Sequence, residues 1–191
     1  MPPIEQGPLA GYLRRIIEAL PQPAFPYCLV GALAVNAWGP VRATQDIDLL
    51  VLSAEPARAA ITDSLVAQGF QPDRRWLEHN PMARERVLRL SHPAFPGIPL
   101  DLLFSADSHE ESVLARRRPL HLLNLSLWVC GPEDLILLKL KASRPHDFED
   151  ALGIVKNPHL HLDLPYLWNW ADRLGLHEEL GYVLQVAGSS E

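Results

Sequence analysis

The sequence predicts an α+β fold, in which a short mixed β-sheet is flanked by helices and followed by a helical C-terminal part. Over residues 1–130, short apolar runs typical of strands alternate with amphipathic stretches typical of helices, whereas residues 131–191 are dominated by helical periodicity. No segment repeats at the ~20–50-residue period of solenoids and propellers. With 191 residues, 48% of them hydrophobic, the chain can bury one compact core. We therefore expect an α/β core with an N-terminal helix at 1–130, and a helical region at 131–191 that packs on it.

The elements of the first half follow from apolar spacing and from the glycines and prolines that interrupt it. Apolar residues recur at helical spacing in the first segment, and Pro21 ends that helix. Gly31 separates a short apolar strand from a helix of small residues, which Gly39 and Pro40 end. The predicted helices are 8–20, 32–38 and 55–69, and the predicted strands are 27–30 and 46–52.

The second half is predicted to contain a hairpin and then mainly helices. A Pro-Gly turn joins two apolar runs, which is typical of antiparallel strands. Ser108 and Glu111 fit a capping box at the start of the next helix. The predicted strands are 84–91, 99–104, 120–123 and 127–130, and the predicted helices are 108–116, 132–141, 146–156, 163–174 and 176–186.

The charge balance restricts the possible partners. The chain carries 17 basic and 23 acidic residues, which gives a net charge of −6. An acidic total argues against non-specific coating of nucleic acid, because that binding mode needs many cations against phosphates. It leaves open a catalytic domain that holds a nucleotide through metal ions. No apolar run reaches the ~20 residues of a membrane span, and Cys28 and Cys130 are predicted to be small buried hydrophobes. We expect a cytoplasmic protein without membrane contact.

Two acids on one predicted strand are the most informative feature. Asp46 and Asp48 are two residues apart, so their side chains project from the same face of the strand while the apolar residues between and after them face the core. Two neighbouring carboxylates repel each other unless a cation lies between them. Ligand sets made only of oxygen favour Mg²⁺ or Mn²⁺ over zinc. The pair therefore indicates a divalent-metal site.

A third acid and one glycine extend this pattern. Asp101 is the single charge on another apolar strand, and if that strand lies beside the first, three carboxylates converge and can hold two metal ions roughly 3.5–4 Å apart. The alternative is that the pair lies at a strand end and Asp101 at an exposed edge. Gly31, between a strand and a helix, can place backbone N–H groups against a phosphate, although such a glycine is also typical of a simple tight turn.

These residues resemble the DNA polymerase β-like nucleotidyltransferase superfamily, whose pattern is a strand, Gly-Gly or Gly-Ser, a helix, Asp-x-Asp and a later third acid. Here the pattern reads Val30-Gly31-Ala32, then Asp46-Ile47-Asp48, then Asp101. The Arg-x-Thr-x-Asp-Ile-Asp wording over 42–48 looks most like the minimal bacterial members, including the AbiEii-type toxins. The resemblance covers about residues 27–156.

The resemblance implies a nucleotidyltransferase-like core and a Mg²⁺- or Mn²⁺-dependent transfer of a nucleoside monophosphate from an NTP to an acceptor, with release of pyrophosphate. The acceptor class stays open between RNA, protein and a small molecule, and the toxin-like resemblance adds an antitoxin as a further partner. The implied catalytic and metal-binding residues are Asp46, Asp48 and Asp101, and the implied nucleotide-binding residues are Gly31, Ala32, Arg42, Thr44 and Lys139.

The C-terminal helices add to the resemblance and also depart from it. The helix over 133–139 is similar to one that carries a nucleotide-facing lysine, here Lys139, although a lysine on a helix also commonly extends to solvent. The segment 144–150 resembles an Arg-x-Lys-Asp-x-x-Asp motif, with His146 in place of its lysine. Ala32 stands where many members have a serine that binds phosphate. Retention of all three acids favours an active enzyme, and the alternative is a non-catalytic nucleotide- or partner-binding module.

The arginines have an ordinary and a functional interpretation. The run at 116–118 is typical of a solvated helix end, and alternatively of a contact with substrate phosphates. Further arginines that can extend such a surface are Arg74, Arg75, Arg84, Arg86 and Arg89.

Overall fold

A computed structural model describes residues 7–189, which form nine helices and seven strands. The helices are α1 (Pro8–Ala19), α2 (Gly31–Trp38), α3 (Ala57–Ala67), α4 (Arg74–His79), α5 (Ser108–Arg116), α6 (Pro132–Ala142), α7 (Pro145–Val155), α8 (Leu164–Leu174) and α9 (His177–Gly188). The strands are β1 (Tyr27–Leu29), β2 (Ile47–Val51), β3 (Gln71–Pro72), β4 (Val87–Ser91), β5 (Leu100–Phe104), β6 (Arg118–Leu122) and β7 (Leu125–Val129). The predicted α+β class is confirmed.

All seven strands join one mixed sheet in the order β3-β4-β5-β2-β1-β7-β6. The pairs β2–β5 and β1–β7 are parallel, and the other neighbours are antiparallel. Both faces of the central strand β2 are buried along part of its length, since Leu49 and Leu50 point to opposite faces and are 1% and 2% exposed. Ile47, Leu49 and Val51 are at most 1% exposed, which places the core behind the face that carries Asp48.

Helices from the C-terminal part pack against α2 and against one another. Helix α6 packs against α2, α7 and α8, and α7 also packs against α2 and α9. Pro132 occupies the first turn of α6, where its missing N–H leaves no helical hydrogen bond unmade. This packing brings α6 and α7 to the edge of the sheet at which α2 begins.

Several boundaries differ from the sequence prediction. The elements β3 and α4 were not predicted, because segments of two and six residues are too short to show periodicity. The predicted strand at 84–91 begins only at Val87. Ser108 was wrong as the cap of α5, since Asp107 is the cap and its side chain accepts a hydrogen bond from the backbone N–H of Glu110.

Two other expectations can be compared directly with the structure. Cys28 and Cys130 are buried and unpaired, as predicted for small hydrophobes. Within residues 7–189, no helix has the length and apolar character needed to cross a membrane.

Candidate active site

The parallel pairing of β2 with β5 brings the predicted acids together. The register places Asp48 directly opposite Asp101, and Asp46 lies immediately before β2. Each of the three residues offers a carboxylate oxygen, and these oxygens all lie within 4.8 Å of one another. The three acids thus converge, as predicted, and they do so at the edge of the sheet where α2 starts.

The electrostatic environment of Asp48 favours a bound cation. Burial raises the pKa of Asp48, and the nearby charges of Asp46 and Asp101 raise it further, to about 7. Lys139 and Arg144 oppose this shift but do not cancel it. A divalent ion among the three carboxylates relieves the repulsion, and their hard oxygen atoms suit Mg²⁺ or Mn²⁺. The donor set therefore fits the predicted metal.

The close approach of the backbone at position 31 to Asp48 requires a glycine there. Its φ of +63° lies in the left-handed region, and a Cβ added there would lie 1.9 Å from Oδ2 of Asp48. The glycine therefore lets α2 begin directly against the carboxylates. The first backbone N–H groups of an eight-residue helix consequently face the same space as the three acids.

Asp101 is engaged by a residue that was not assigned to the site from the sequence. Arg89, opposite Asp101 on the antiparallel strand β4, donates from Nε to Oδ1 at 2.7 Å and from Nη2 to Oδ2 at 2.5 Å. These hydrogen bonds raise the pKa of Arg89. The guanidinium also lies over the ring of Trp76, at 4.8 Å from its centroid. The third carboxylate is therefore held in a fixed orientation.

Lys139 is buried in an ion-pair network and does not extend to solvent. Its side chain is 6% exposed, and Nζ lies 3.0 Å from Oδ1 of Asp147 and 2.8 Å from Oδ2 of Asp150. Arg144 contacts Asp147 at 2.6 Å, and Arg42 contacts Asp150 at 2.9 Å. Burial alone would raise the pKa of Asp147, but hydrogen bonds from Arg144 and Lys139 outweigh burial and lower it.

The loop between α2 and β2 is fixed at both ends. Asn36 donates from Nδ2 to the carbonyl of Arg42 and accepts from its backbone N–H, which ties the loop to α2. At the other end, Oγ1 of Thr44 lies 3.0 Å from the carbonyl oxygen of Asp46 and 3.1 Å from its Oδ1. Thr44 therefore orients the first carboxylate.

A cavity of about 610 Å³ opens over the three acids. All eight residues that were predicted as catalytic or nucleotide-binding line it. It is also lined by Trp76, Arg89, Arg144 and His146. The cavity combines a carboxylate cluster, a helix N-terminus and several cations, a set of groups that can bind the triphosphate of a metal-bound nucleotide.

The structure is similar to solved structures that contain an antibiotic or an adenylyl-antibiotic. One is ANT(2″)-Ia in complex with adenylyl-2″-tobramycin, with a TM-score of 0.53 over 95% of this chain and 97% of that chain. Another is the lincosamide antibiotic adenylyltransferase LnuA bound to lincomycin, with a TM-score of 0.50 over 75% of this chain and 92% of that chain. The chain has a nucleotidyltransferase fold. Sequence identity to each is 13%, no protein-family model matches the chain, and no curated protein matches its sequence.

In this nucleotidyltransferase fold, none of the arginines at 116–118 lines the cavity over the carboxylates. Arg116 stacks over Tyr166 at 3.8 Å and Arg117 over Trp128 at 4.8 Å. These contacts indicate a packing role in place of a contact with substrate. Arg89 was seen in the sequence only as part of a basic surface. The signal that could have placed it was the register of the β4–β5 hairpin.

Proposed function

We propose that this protein transfers a nucleoside monophosphate from an NTP to a hydroxyl group of an acceptor. The observation that carries the proposal is the convergence of three carboxylates within 4.8 Å beside the N-terminus of α2. The nucleotidyltransferase fold supports it. In the reaction, the acceptor oxygen forms a bond to the α-phosphorus, the bond from that phosphorus to the bridging oxygen breaks, and pyrophosphate leaves.

The residues of the cavity divide this work between binding and activation. Asp46, Asp48 and Asp101 would hold the divalent ions, which would neutralise the triphosphate and polarise the reacting phosphate. Asp101, oriented by Arg89, would also help accept the proton of the acceptor hydroxyl. Gly31 and the backbone of Ala32 face the phosphates, and Lys139 adds positive charge. Positioning and electrostatic stabilisation are sufficient for such a transfer, because no covalent intermediate is needed.

The acceptor is first sought among small hydroxylated molecules. The two similar structures contain adenylyl-2″-tobramycin and lincomycin, respectively. A cavity of about 610 Å³ is within the range that small-molecule sites occupy. RNA and protein acceptors, a toxin role and an antitoxin partner rest on the resemblance over 42–48 and stay predictions.

A second candidate function is nucleotide binding without transfer. Arg89 occupies both carboxylate oxygens of Asp101, so a metal ion can reach this acid only if the two share it or the arginine moves. Ala32 also offers no hydroxyl to a phosphate. Both observations favour a module that binds a nucleotide without transferring part of it.

Incubation with each labelled NTP, Mg²⁺, cell lysate and a set of small hydroxylated compounds tests the two functions. We expect label in one acceptor fraction, with a decrease of about a thousandfold in the Asp46→Asn/Asp48→Asn variant, since the metal supplies several kcal/mol and each 1.36 kcal/mol is a factor of ten. The exposed acid Asp63 on α3 provides the control, and Asp63→Asn keeps full transfer. Undiminished transfer by the double variant would rule out this site. Mg²⁺-dependent NTP binding without label in any fraction would identify the binding module.

A further inference from the structure

A second cavity, of about 300 Å³, continues from the carboxylates along the same face of the sheet. Its floor includes Leu50, two residues beyond Asp48, and Leu103, two residues beyond Asp101. Side chains two residues apart on a strand share one face. Along both strands, the cavity floor therefore changes from a charged to an apolar side chain over two residues.

The two cavities meet at the residues placed to bind phosphate. Both are lined by Gly31, Asp48 and Lys139, as well as by Leu103 and Arg144. Asp101 lines the larger cavity and does not contribute to the smaller one. An acceptor that reaches Asp101 therefore approaches through the larger cavity, which leaves the smaller cavity free for another part of the NTP.

The smaller cavity has the walls of a site for a flat apolar ring. Helix α6 covers its floor with Leu135, Leu138 and Ala142. Sites for small organic ligands are typically about 300–1,000 Å³, mostly apolar, with a few polar groups that fix orientation. Its size and lining suit a nucleobase with part of its ribose.

The polar groups at the far end of this cavity offer hydrogen-bond donors. Glu110 is buried, and its Oε1 accepts from Lys141 at 2.8 Å and from Arg86 at 3.1 Å. Its Oε2 accepts from Arg86 at 3.0 Å and from the backbone N–H of Ala106 at 2.7 Å. These four bonds use the full acceptor capacity of a carboxylate.

Arg86 keeps donors that these contacts do not use. It donates through Nε to the carbonyl of Phe104 and through Nη2 to Glu110. Among the contacts between described residues, Nη1 has no acceptor. Lys141 also lines the cavity, where Asp107 and Glu110 hold its ammonium group. The cavity end thus presents donors and no vacant carboxylate acceptor.

We propose that the smaller cavity binds the nucleobase of the NTP and that Arg86 and Lys141 select guanine or uracil, which carry a keto oxygen at C6 or C4 where adenine and cytosine carry an amino group. This inference rests on the proposed function, since it takes the triphosphate to lie between the two cavities. A keto oxygen accepts from these donors, whereas the exocyclic amino group of adenine or cytosine would meet donors in the same place. A well-placed pair of such bonds is worth ~1–3 kcal/mol, or about 5- to 150-fold in affinity.

Binding of the four NTPs and of inorganic tripolyphosphate, each with Mg²⁺, tests the inference by calorimetry. We expect GTP or UTP to bind at least about tenfold more tightly than ATP and CTP. Ala142 is exposed at the cavity rim, so Ala142→Phe can fill the cavity without displacing the core. This variant weakens every NTP at least about tenfold and leaves tripolyphosphate, which has no base, unchanged.

Two arginine variants make the base selection testable by itself. Arg86→Met reduces the preference among the four NTPs to about twofold, with tripolyphosphate again unchanged. Arg84→Met is the matched control, because Arg84 lies two residues away and lines a different cavity; it keeps the preference. Equal NTP affinity in the wild type and Ala142→Phe, or a preference for ATP or CTP, would overturn the inference alone. Absence of Mg²⁺-dependent NTP binding to the wild type would overturn both this inference and the proposed function.

Discussion

Two neighbouring groups of carboxylates in this molecule differ in their burial and in their counter-charges. Asp46, Asp48 and Asp101 share one arginine, which contacts Asp101, and the pKa of Asp48 rises to about 7. The second group, Asp147 and Asp150, is contacted by three cations, and the pKa of Asp147 is lowered. These cations are Lys139, Arg42 and Arg144.

This difference distinguishes a group that can bind a ligand from a group that holds a neighbouring side chain in place. Both groups consist of aspartates on neighbouring elements, so residue type does not distinguish them. Asp46 and Asp48 are half-buried, whereas Asp147 and Asp150 are buried. In the first group the charges do not balance without an added cation, which favours ligand binding. In the second group three cations face two carboxylates, so both acids are neutralised without an added ion, and this balanced group holds a lysine in one position beside the cavity. The second group is therefore expected to act on the reaction through Lys139.

The largest expected effect on stability comes from the balanced group. Asp147 is 0% exposed and holds both Lys139 and Arg144, so Asp147→Asn leaves the buried lysine with one carboxylate partner, Asp150, and removes the anchor of Arg144. We expect the free energy of unfolding to fall by about 2–3 kcal/mol, the cost of losing hydrogen bonds between buried charged groups. Denaturant unfolding measures this change. Glu149→Gln, an exposed acid on the same helix, is the control and should change the value by less than about 0.5 kcal/mol. A loss for Asp147→Asn as small as that would contradict the assignment.

The next effect isolates the contact between Gly31 and the unbalanced group. Gly31→Ala places a Cβ against Asp48, displaces its carboxylate, and is expected to reduce transfer by about a hundredfold or more. Gly175 has a similar φ of +69° but nothing within 4 Å of an added Cβ. Gly175→Ala therefore carries the same backbone strain, about 1–2 kcal/mol, without the clash. Transfer rates at equal folded fraction separate the two, and equal rates in both variants would show that the clash is unimportant.

The sequence was sufficient to predict the unbalanced group, whereas the spacing of Asp147 and Asp150 is typical both of acids that position Lys139 or Arg144 and of a solvated helix face. Strand alternation alone places Asp46 and Asp48 on one face, and a single acid on another apolar strand identifies Asp101 as their partner. The contact of Arg89 with Asp101 depends on the register of the hairpin formed by β4 and β5. A shift of one residue in this register would turn the side chain of Arg89 to the other face of the sheet. The loop ahead of β4 has no periodic signal that fixes this register.

The burial of Lys139 depends on contacts between elements and could not be read from its helix. The spacing on α6 allows the lysine to point to solvent, and only the packing of α7 across α6 brings Asp147 and Asp150 to its Nζ. Trp76 was missed for a different reason: it lies on a six-residue helix with too few turns to show an apolar face. The sequence therefore did not allow prediction of the short elements or of the contacts between helices.

The smallest expected effect tests whether the charge of Asp48 lowers the stability of the metal-free protein. With a pKa of about 7 in the folded protein and an ordinary value of 3.8, Asp48 binds more protons folded than unfolded between these values. The metal-free protein therefore loses stability as pH rises from about 4 to about 7, by about 1–2 kcal/mol after allowance for partial exposure. Asp48→Asn removes this loss, so its unfolding temperature at pH 8 should exceed that of the wild type by about 2–8 °C.

Added Mg²⁺ should reverse this order. At pH 8 the ion offsets the repulsion among the three carboxylates of the wild type and raises its unfolding temperature. At pH 6 the ion must first displace a proton from Asp48, so it raises the unfolding temperature less. Asp48→Asn, with one carboxylate fewer, should gain little at either pH. Calorimetric scans with and without Mg²⁺ measure all four differences. If the metal-free variant melted below the wild type at pH 8, the carboxylate of Asp48 would be stabilising, and the three acids would have to be regarded as a balanced group like the one around Lys139.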